Sequence, residues 1–264
     1  MHILDKIVAH KKKEVERKKE LFPKALLEQS IYYNSRPVSM SEYIRRSDKS
    51  GIIAEFKRRS PSKPEINLYA DVEKVTLGYM QAGASALSIL TDEHFFGGSS
   101  DDLKTARKFN FCPILRKDFI IDPYQITEAR SIGADAILLI AEILTKDEVK
   151  LLAKYAHELG LEVLMELHSE EQLDKIADEI DLIGVNNRDL KTFTTDTKFS
   201  VNLFNKLPHE KVKVSESGIK NIGDIQMLRS VGYEGFLIGE QFMLHADPGK
   251  ACKNLVDSLK VSGL

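Results

Sequence analysis

Short apolar runs recur along the chain from Gly51 onward, and they constrain the fold more than any other feature of the sequence. Eight such runs begin roughly 20–35 residues apart, which is the length of one strand–helix unit. They are IIAEF (52–56), ALSIL (86–90), PILRKDF (113–119), AILLIA (136–141), VLMEL (163–167), LIGVN (182–186), VKVSES (212–217) and FLIG (236–239). Continuous apolar strands indicate a sheet that is covered on both faces.

Helical stretches lie between these runs. The first, residues 71–83, ends in Gly83, the residue type expected just after a helix. The others are residues 123–133, 145–160, 169–179, 221–232 and 248–259. Alternating strands and helices predict a parallel sheet, and eight units in about 210 residues predict an α/β fold of the (β/α)₈ TIM barrel class. A doubly wound open sheet is the alternative.

The first 50 residues do not follow this rhythm. Residues 1–22 carry apolar side chains at near-helical spacing with charges between them, which predicts a surface helix with a narrow apolar stripe. Acids follow the basic run His10–Lys13 at once, so we interpret it as a solvated helix face and not as a nucleic-acid patch. Because the sequence contains no recognisable linker, we expect one domain over residues 1–264, with 1–50 as an N-terminal helical extension packed on the barrel.

The composition excludes several classes of protein. A net charge of −2 with 30% charged residues gives no reason to expect a nucleic-acid or membrane partner. No apolar run approaches the roughly 18 residues of a membrane span, and the first residues do not resemble a signal peptide. Cys112 and Cys252 are isolated in sequence, which predicts neither a disulfide nor a metal site and favours the cytoplasm.

Charged residues stand at the ends of the predicted strands, where a barrel of this class has its active site. Because strand side chains alternate between two faces, these charges share the inward face of buried Leu and Val. The set is Glu55, Lys57, Lys117, Glu166, Arg188 and Glu216, with Asn186 in phase. Buried charges cost several kcal/mol each unless paired. The set therefore predicts either proton-transfer chemistry or a structural ion-pair network, whereas Arg116 is expected on the helix side.

The last two strands suggest a phosphate site. SESGI and LIGE end these strands, and barrels often bind phosphate in the loops that follow them. Gly218 and Gly239 allow backbone N–H groups to approach an anion closely. Glu240 places an acid beside this site, so its side chain must point away if the site is real.

Together these motifs resemble the indole-3-glycerol phosphate synthase family. The stretch IIAEFKRRSPS resembles the family signature E-x-K-x-x-S-P-S. Six further motifs follow in the family's order: LTDEHFFGGS, ILRKDFIIDPYQI, LMELH, IGVNNRDL, VSESGI and FLIGE. An extension of about 50 residues before the barrel is also typical of this family. The resemblance covers nearly the whole barrel.

The resemblance implies a decarboxylating and dehydrating ring closure in tryptophan biosynthesis, on an anthranilate that carries an open-chain 1-deoxyribulose 5-phosphate. In that reaction Lys117 is the general acid at the ketone oxygen. Glu166 is a base or stabilises the anilinium charge. Lys57 holds the carboxylate and is a second candidate proton donor, so the division of acid and base roles between the two lysines stays open. The implied orienting residues are Glu55, Asn186 and Glu216. Burial and mutual repulsion are expected to lower the pKa values of the two lysines.

The resemblance also implies the binding residues. The implied phosphate-binding residues are Ser217, Gly218 and Gly239. Ser217 is also implied to be a catalytic residue. The ring pocket is assigned to Ser60, Phe96 and Phe119, and Leu237 is a further substrate-binding residue. Arg188 braces the lysines and carboxylates. The only expected partner is the small phosphorylated substrate, without metal or cofactor. His168 is interpreted as a loop histidine whose hydrogen bonds are satisfied. A monomer is expected, with a weak homodimer as the alternative.

Three rival functions remain open. Another phosphate-binding barrel, such as phosphoribosylanthranilate isomerase, would need a Cys/Asp pair, but Cys112 lies at the wrong end of its strand. A Schiff-base aldolase could use Lys117 or Lys57. The third rival is a catalytically inactive barrel that serves as a ligand-binding or scaffold protein. Such a protein would be expected to have lost some of the charged residues of the motifs, but all of them are present.

Overall fold

Eight parallel strands form a closed barrel in the computed structural model, which describes residues 3–189 and 192–261. The strands are β1 Ile52–Phe56, β2 Ala86–Leu90, β3 Ile114–Lys117, β4 Ala136–Ile140, β5 Glu162–Leu167, β6 Leu182–Asn186, β7 Val212–Glu216 and β8 Gly235–Ile238. β1 pairs with both β2 and β8, which closes the sheet. The predicted TIM barrel is confirmed, and the open-sheet alternative is wrong.

Helices cover the outside of the barrel and precede it. They are α1 Ile3–Leu21, α2 Lys24–Leu27, α3 Met40–Arg45, α4 Val72–Ala82, α5 Glu93–Phe96, α6 Ser100–Phe109, α7 Pro123–Ser131, α8 Lys146–Glu158, α9 Lys198–Leu203, α10 Ile222–Val231, α11 Glu240–Met243 and α12 Pro248–Val261. Asp71 caps α4 by accepting from Lys74 N, and Gly83 ends it in the left-handed conformation. These are the local signals that the sequence carries for helix ends.

The segment after β5 differs from the prediction. A helix was expected over 169–179, but the structure has a short 3₁₀ helix, Glu170–Lys175. Ser169 makes no side-chain cap, and the Gln172 side chain turns back to accept from the backbone N–H of His168 at 2.8 Å. The segment is therefore shorter and less regular than predicted, although Leu173, Ile176 and Ala177 still pack against the outer apolar core.

Two apolar layers hold the barrel together. Inside it, Ile53, Leu115, Leu164 and Val214 pack against one another, and their strand neighbours pack outward on the helices. The interior is therefore a packed core and not a pore. At the N-terminal end of the strands, the carboxylate of Glu162 accepts hydrogen bonds from the first residues of α3. This contact anchors the extension to the barrel.

Helix α1 packs on the opposite, C-terminal end of the strands through a stripe of Ile7, Lys11 and Val15. Lys11 Nζ lies 3.0 Å from both Asp92 Oδ2 and Asp118 Oδ1, and 2.8 Å from Glu14 Oε2. The prediction that the basic run is a solvated face is therefore wrong for Lys11, whose side chain is fully buried. Burial of a lysine is tolerated here because three carboxylates surround it.

Arg116 continues this buried ion-pair network behind β3. Its Nη2 lies 3.0 Å from Asp118 Oδ2 and 2.5 Å from Glu128 Oε2 on α7. Lys18 on α1 reaches the other oxygen of Glu128 at 3.0 Å. The expected helix-side position of Arg116 is confirmed. The network joins α1, the loops after β2 and β3, and α7 into one charged seam.

Candidate active site

A cavity of about 280 Å³ opens at the C-terminal ends of the strands. Every strand contributes a lining residue, and α1 adds an apolar wall of Ile3, Leu4 and Ile7. The cavity contains all the site residues that the sequence predicts: Glu55, Lys57, Ser60, Phe96, Lys117, Phe119, Glu166, Asn186, Arg188, Glu216, Ser217, Gly218, Leu237 and Gly239. The structure thus brings the predicted residues together, and their individual roles stay predictions.

Lys117 occupies the centre of the charged cluster. Its Nζ donates to Glu166 Oε2 at 2.6 Å and to Glu216 Oε2 at 2.8 Å. Burial alone would lower the pKa of Lys117, but the charges of Glu166, Glu216 and Glu55 outweigh burial and hold that pKa above its ordinary value. The prediction of a lowered lysine pKa is therefore wrong for Lys117. The side chain is an ammonium at any physiological pH.

The two carboxyl groups that flank Lys117 titrate in opposite directions. Burial favours the neutral form of each, but Lys117 and His168 together hold the pKa of Glu166 well below its ordinary value. For Glu216, burial prevails over Lys117, and the charge of Glu166 adds to it, raising the pKa to about 7. Neighbouring acids with separated pKa values are typical of acid–base sites. Glu166 is the ionised acceptor, and Glu216 is the group able to hold a proton.

Glu55 and Lys57 face the cavity, as alternation along β1 predicts. Lys57 Nζ donates to Glu55 Oε1 at 2.7 Å. The carboxylate is buried, whereas the lysine side chain keeps 18% of its surface exposed. The ammonium of Lys57 is therefore within reach of an anionic ligand in the cavity.

Two glycines provide the space for these carboxylates. A Cβ on Gly184 would lie 2.1 Å from Glu216 Oε1, and one on Gly239 would lie 2.6 Å from Glu55 Oε1. Sequence reasoning did not identify Gly184 as a site residue. The available signal was a glycine inside an otherwise apolar strand, which often marks a close approach of another group.

Replacing Gly184 with alanine should test this spatial role. The methyl group would displace the carboxylate of Glu216 from Lys117, while the flexible glutamate side chain absorbs most of the strain. We expect Gly184→Ala to fold and to lose about 10²-fold in kcat, because small displacements of catalytic groups have effects of that size. Steady-state kinetics and a thermal melt measure the two effects separately.

Gly235→Ala is the matched control. It also crowds a strand, but its Cβ would meet Val214 Cγ2 at 2.9 Å and no carboxylate of the cavity. We expect it to lower stability and to leave the kcat of the folded protein nearly unchanged. Equal kcat losses in the two variants would show that strand crowding, and not the position of Glu216, is responsible.

The phosphate end of the cavity has unusual backbone geometry. Ser217 and Gly218 have φ values of 66° and 74°, two successive left-handed residues at the end of β7. This conformation is uncommon for serine and is found most often at functional turns. Lys220 lines the cavity two residues after Gly218, and Lys63 pairs with Glu240, another lining residue. The backbone turn fits the predicted anion site.

Glu240 and Arg188 differ from expectation at this end. Glu240 does not turn away from the cavity but lines it, with Oε1 3.3 Å from Lys63 Nζ and Oε2 3.5 Å from Arg188 Nη2. The two cations offset its charge. Arg188 also donates to the carbonyl of Phe193 at 3.3 Å. Among the described residues, no hydrogen bond or ion pair joins Arg188 to Lys57 or Lys117, the lysines that it was predicted to brace.

The other walls of the cavity are aromatic and polar. The rings of Phe96 and Phe119 lie 5.8 Å apart with a 42° interplanar angle, as one side of the ring pocket. Asn186 Nδ2 donates to Glu166 Oε1 at 3.1 Å, while Asn187 Nδ2 donates to Ser215 Oγ at 2.9 Å behind the strands. The predicted inward position of Asn186 is confirmed.

His168 lies in the loop directly after β5, as interpreted, but the expectation that its hydrogen bonds are satisfied is wrong, because neither ring nitrogen is hydrogen-bonded to a described residue. Its side chain is 7% exposed, lines the cavity, and places Nε2 3.1 Å from Glu166 Oε1. Strand alternation alone would have indicated this position, since His168 shares the parity of Glu166.

Within residues 3–189 and 192–261, no cluster of three or more His, Cys, Asp or Glu residues is arranged to hold a metal ion. Across the same ranges no helix is long and apolar enough to cross a membrane.

Comparisons with known proteins point to one family. A family model described as indole-3-glycerol phosphate synthase matches residues 4–255. A relative of that name from Bacteroides thetaiotaomicron is 50% identical over 98% of this chain and 99% of its own length. Another from Carboxydothermus hydrogenoformans is 42% identical over 96% and 99%.

Solved structures show the fold alone. The tryptophan synthase α subunit of Legionella pneumophila covers 84% of this chain and 96% of its own, with a TM-score of 0.60 at 15% identity. KGPDC from Streptococcus mutans covers 80% and 97%, with a TM-score of 0.61 at 15% identity.

Proposed function

The chain belongs to the indole-3-glycerol phosphate synthase family, and from that premise we propose how the residues at the barrel mouth divide the family's reaction. The substrate is 1-(2-carboxyphenylamino)-1-deoxyribulose 5-phosphate. The ring carbon that bears the carboxylate attacks the ketone carbon, carbon dioxide leaves, and loss of water completes the indole.

Lys117 is the general acid of ring closure. The observation that carries this proposal is its ammonium at the centre of the mouth, held by Glu166 and Glu216 at 2.6 and 2.8 Å. As the carbon–carbon bond forms, the ketone oxygen gains negative charge, and a fixed ammonium beside it stabilises that charge. The developing alkoxide is a stronger base than a neutral lysine, so a raised lysine pKa does not prevent the proton transfer.

Lys57 binds the carboxylate of the substrate. Its ammonium is partly exposed in the cavity while Glu55 fixes it from the buried side. This pairing holds the attacking ring carbon in place until carbon dioxide departs. The bonding electrons of the lost carboxylate return to the ring, which restores its aromaticity.

Glu166 is the base of dehydration. The hydroxyl group formed from the ketone oxygen takes up a proton from Lys57, which is free once carbon dioxide has left, and departs as water, while a second proton leaves the carbon next to nitrogen. A low pKa keeps Glu166 ionised and ready to accept that proton or to stabilise positive charge on the nitrogen. Glu216, with a pKa raised to about 7, and Asn186 orient this pair.

Binding at the two ends of the cavity folds the substrate into a reactive shape. Ser217, Gly218 and Gly239 bind the phosphate with help from the cations near Glu240. Ser60, Phe96, Phe119 and Leu237 enclose the aromatic ring, together with the wall from α1. Anchoring both ends is worth several orders of magnitude in rate for an intramolecular ring closure.

The same geometry weakens the Schiff-base alternative. A lysine nucleophile must be neutral, whereas Lys117 lies between two carboxyl groups that stabilise its charged form. We also propose a cytoplasmic monomer, with a weak homodimer as the alternative. Both cysteines are free, which suits a reducing compartment.

An indole fluorescence assay tests the proposal. Purified protein that has been treated with a chelator is mixed with the substrate in the absence of metal or cofactor. We expect fluorescence to rise at a rate that saturates with substrate concentration. Measurable binding without turnover would instead support a catalytically inactive barrel. Absence of binding by a folded protein would contradict the assignment of the cavity.

A further inference from the structure

His168 is a buried group that the proposed mechanism does not use. It follows the end of β5, two residues after Glu166, and neither of its ring nitrogens has a hydrogen-bond partner among residues 3–189 and 192–261. Buried polar atoms are rarely left unpaired, and an exception beside a reactive carboxylate calls for a physical explanation. The histidine is fixed by its backbone N–H, which donates to Gln172 Oε1 at 2.8 Å.

The ring lies against the carboxylate without being aligned to it. Nε2 is 3.1 Å from Glu166 Oε1, which is within reach of a charge-assisted hydrogen bond once the ring turns. Meanwhile Glu166 is held by other donors. Lys117 occupies Oε2 at 2.6 Å, and Asn186 occupies Oε1 at 3.1 Å.

Catalysis must disturb this arrangement. If Lys117 turns to the ketone oxygen, as the proposed function requires, Glu166 loses its closest cation. Without a replacement, the carboxylate would become more basic before its own step and would be free to rotate about its side chain. Asn186 alone supplies one neutral donor.

We propose that His168 is a positioning residue that donates Nε2–H to Glu166 when Lys117 engages the substrate. This inference rests on the proposed roles of Lys117 and Glu166. The hydrogen bond keeps Glu166 ionised and aimed at the carbon that must lose its proton. No covalent step at the histidine is involved.

The ionisable surroundings of the ring fit a donor role. Glu166 faces it from β5, with Lys117 on β3 and Glu216 on β7 behind that carboxylate. Glu142, in the loop after β4, reaches the same segment by accepting from Gln172 Nε2. The nearest charged partner is therefore an anion, which favours a ring that donates towards it.

Two substitutions test the proposal. His168→Phe removes the donor and keeps the ring volume, and His168→Gln keeps a donor that cannot titrate in this range. We expect His168→Phe to lower kcat at least tenfold with KM changed by less than about threefold. The acidic limb of its kcat–pH profile should move upward by about one pH unit, because loss of a donor makes a carboxylate easier to protonate. His168→Gln should restore most of kcat and the position of the limb.

Controls separate this inference from the mechanism on which it rests. His157→Gln, at an exposed histidine that pairs with Asp181, should leave kinetics unchanged. If Glu166→Gln retains its rate, the proposed base role is wrong. If Glu166→Gln is inactive while folded His168→Phe keeps the wild-type kcat and pH profile, only the role of His168 is wrong. Should His168→Phe fail to fold, His168→Asn, too short to reach Glu166, takes its place, and equal kinetics for the Asn and Gln variants would overturn the inference.

Discussion

Lys117→Ala is expected to fold and to lose about 10³–10⁴-fold in kcat, the largest effect of any single change at the mouth. The substitution removes both the proton donor and the positive charge that faces the developing oxyanion. Folding should survive, because Glu216, whose pKa is already about 7, can take up a proton and relieve the charge that Lys117 leaves behind. Glu166 keeps its contacts with Asn186 and His168. Single-turnover kinetics with indole fluorescence measures the loss.

The matched control is Lys213→Ala. Lys213 also lies on a barrel strand and is also buried, but its Nζ donates to the carbonyl of His209 outside the barrel interior. Its removal should leave kcat within about twofold, because it touches no group of the cavity. If Lys117→Ala kept its rate within about tenfold of the wild type, general acid catalysis by Lys117 would be rejected.

Lys11→Met is expected to lower the free energy of unfolding by about 3 kcal/mol. The lysine is enclosed by carboxylates, and Asp92 and Asp118 have no exposed side-chain surface. Removing one partner of a buried ion pair leaves the others uncompensated, and that cost is typically about 3–5 kcal/mol. Arg116 still contacts Asp118, which places the estimate at the lower end. Urea denaturation measures the change.

Two variants check the cause. Lys19→Met removes a lysine of the same helix that is 36% exposed and pairs with Asp122, and it should cost less than about 1 kcal/mol. The double variant Lys11→Met/Asp92→Asn neutralises the carboxylate whose ion pair Lys11 supplied and should recover part of the lost stability. If the double variant is no more stable than Lys11→Met, unpaired charge is not the reason for the loss.

Strand alternation made the central part of the site predictable. Once β1 is placed by its apolar residues, geometry alone directs Glu55 and Lys57 to the same side, and the same holds for Lys117 on β3. It also sends Arg116 to the other side, into the seam with Glu128. These predictions needed no knowledge of distant contacts, because the face of a strand residue is fixed by its neighbours.

Features that depend on distant partners were not predictable. A run of four basic residues on α1 does not reveal which side chain will meet acids from the loops after β2 and β3, so Lys11 was placed in solvent. The pKa values of Glu166 and Glu216 depend on the distance of each carboxylate from Lys117. A single sequence does not specify these distances. The role of Gly184 is evident only in the folded structure, where the carboxylate of Glu216 lies beside it.

The charged seam between α1 and the barrel also bears on the order of folding. Lys11 precedes its partners Asp92 and Asp118 by roughly a hundred residues, so α1 has no docking surface until β2 and β3 have paired. Before docking, the many exposed charges of α1 keep the helix soluble, because only Ile7, Lys11 and Val15 become buried. The helix is synthesised before the barrel, and we expect it to dock after the barrel has formed. The wall that Ile3, Leu4 and Ile7 add to the cavity is therefore assembled late, and a partly synthesised chain has no complete pocket in which substrate could be held.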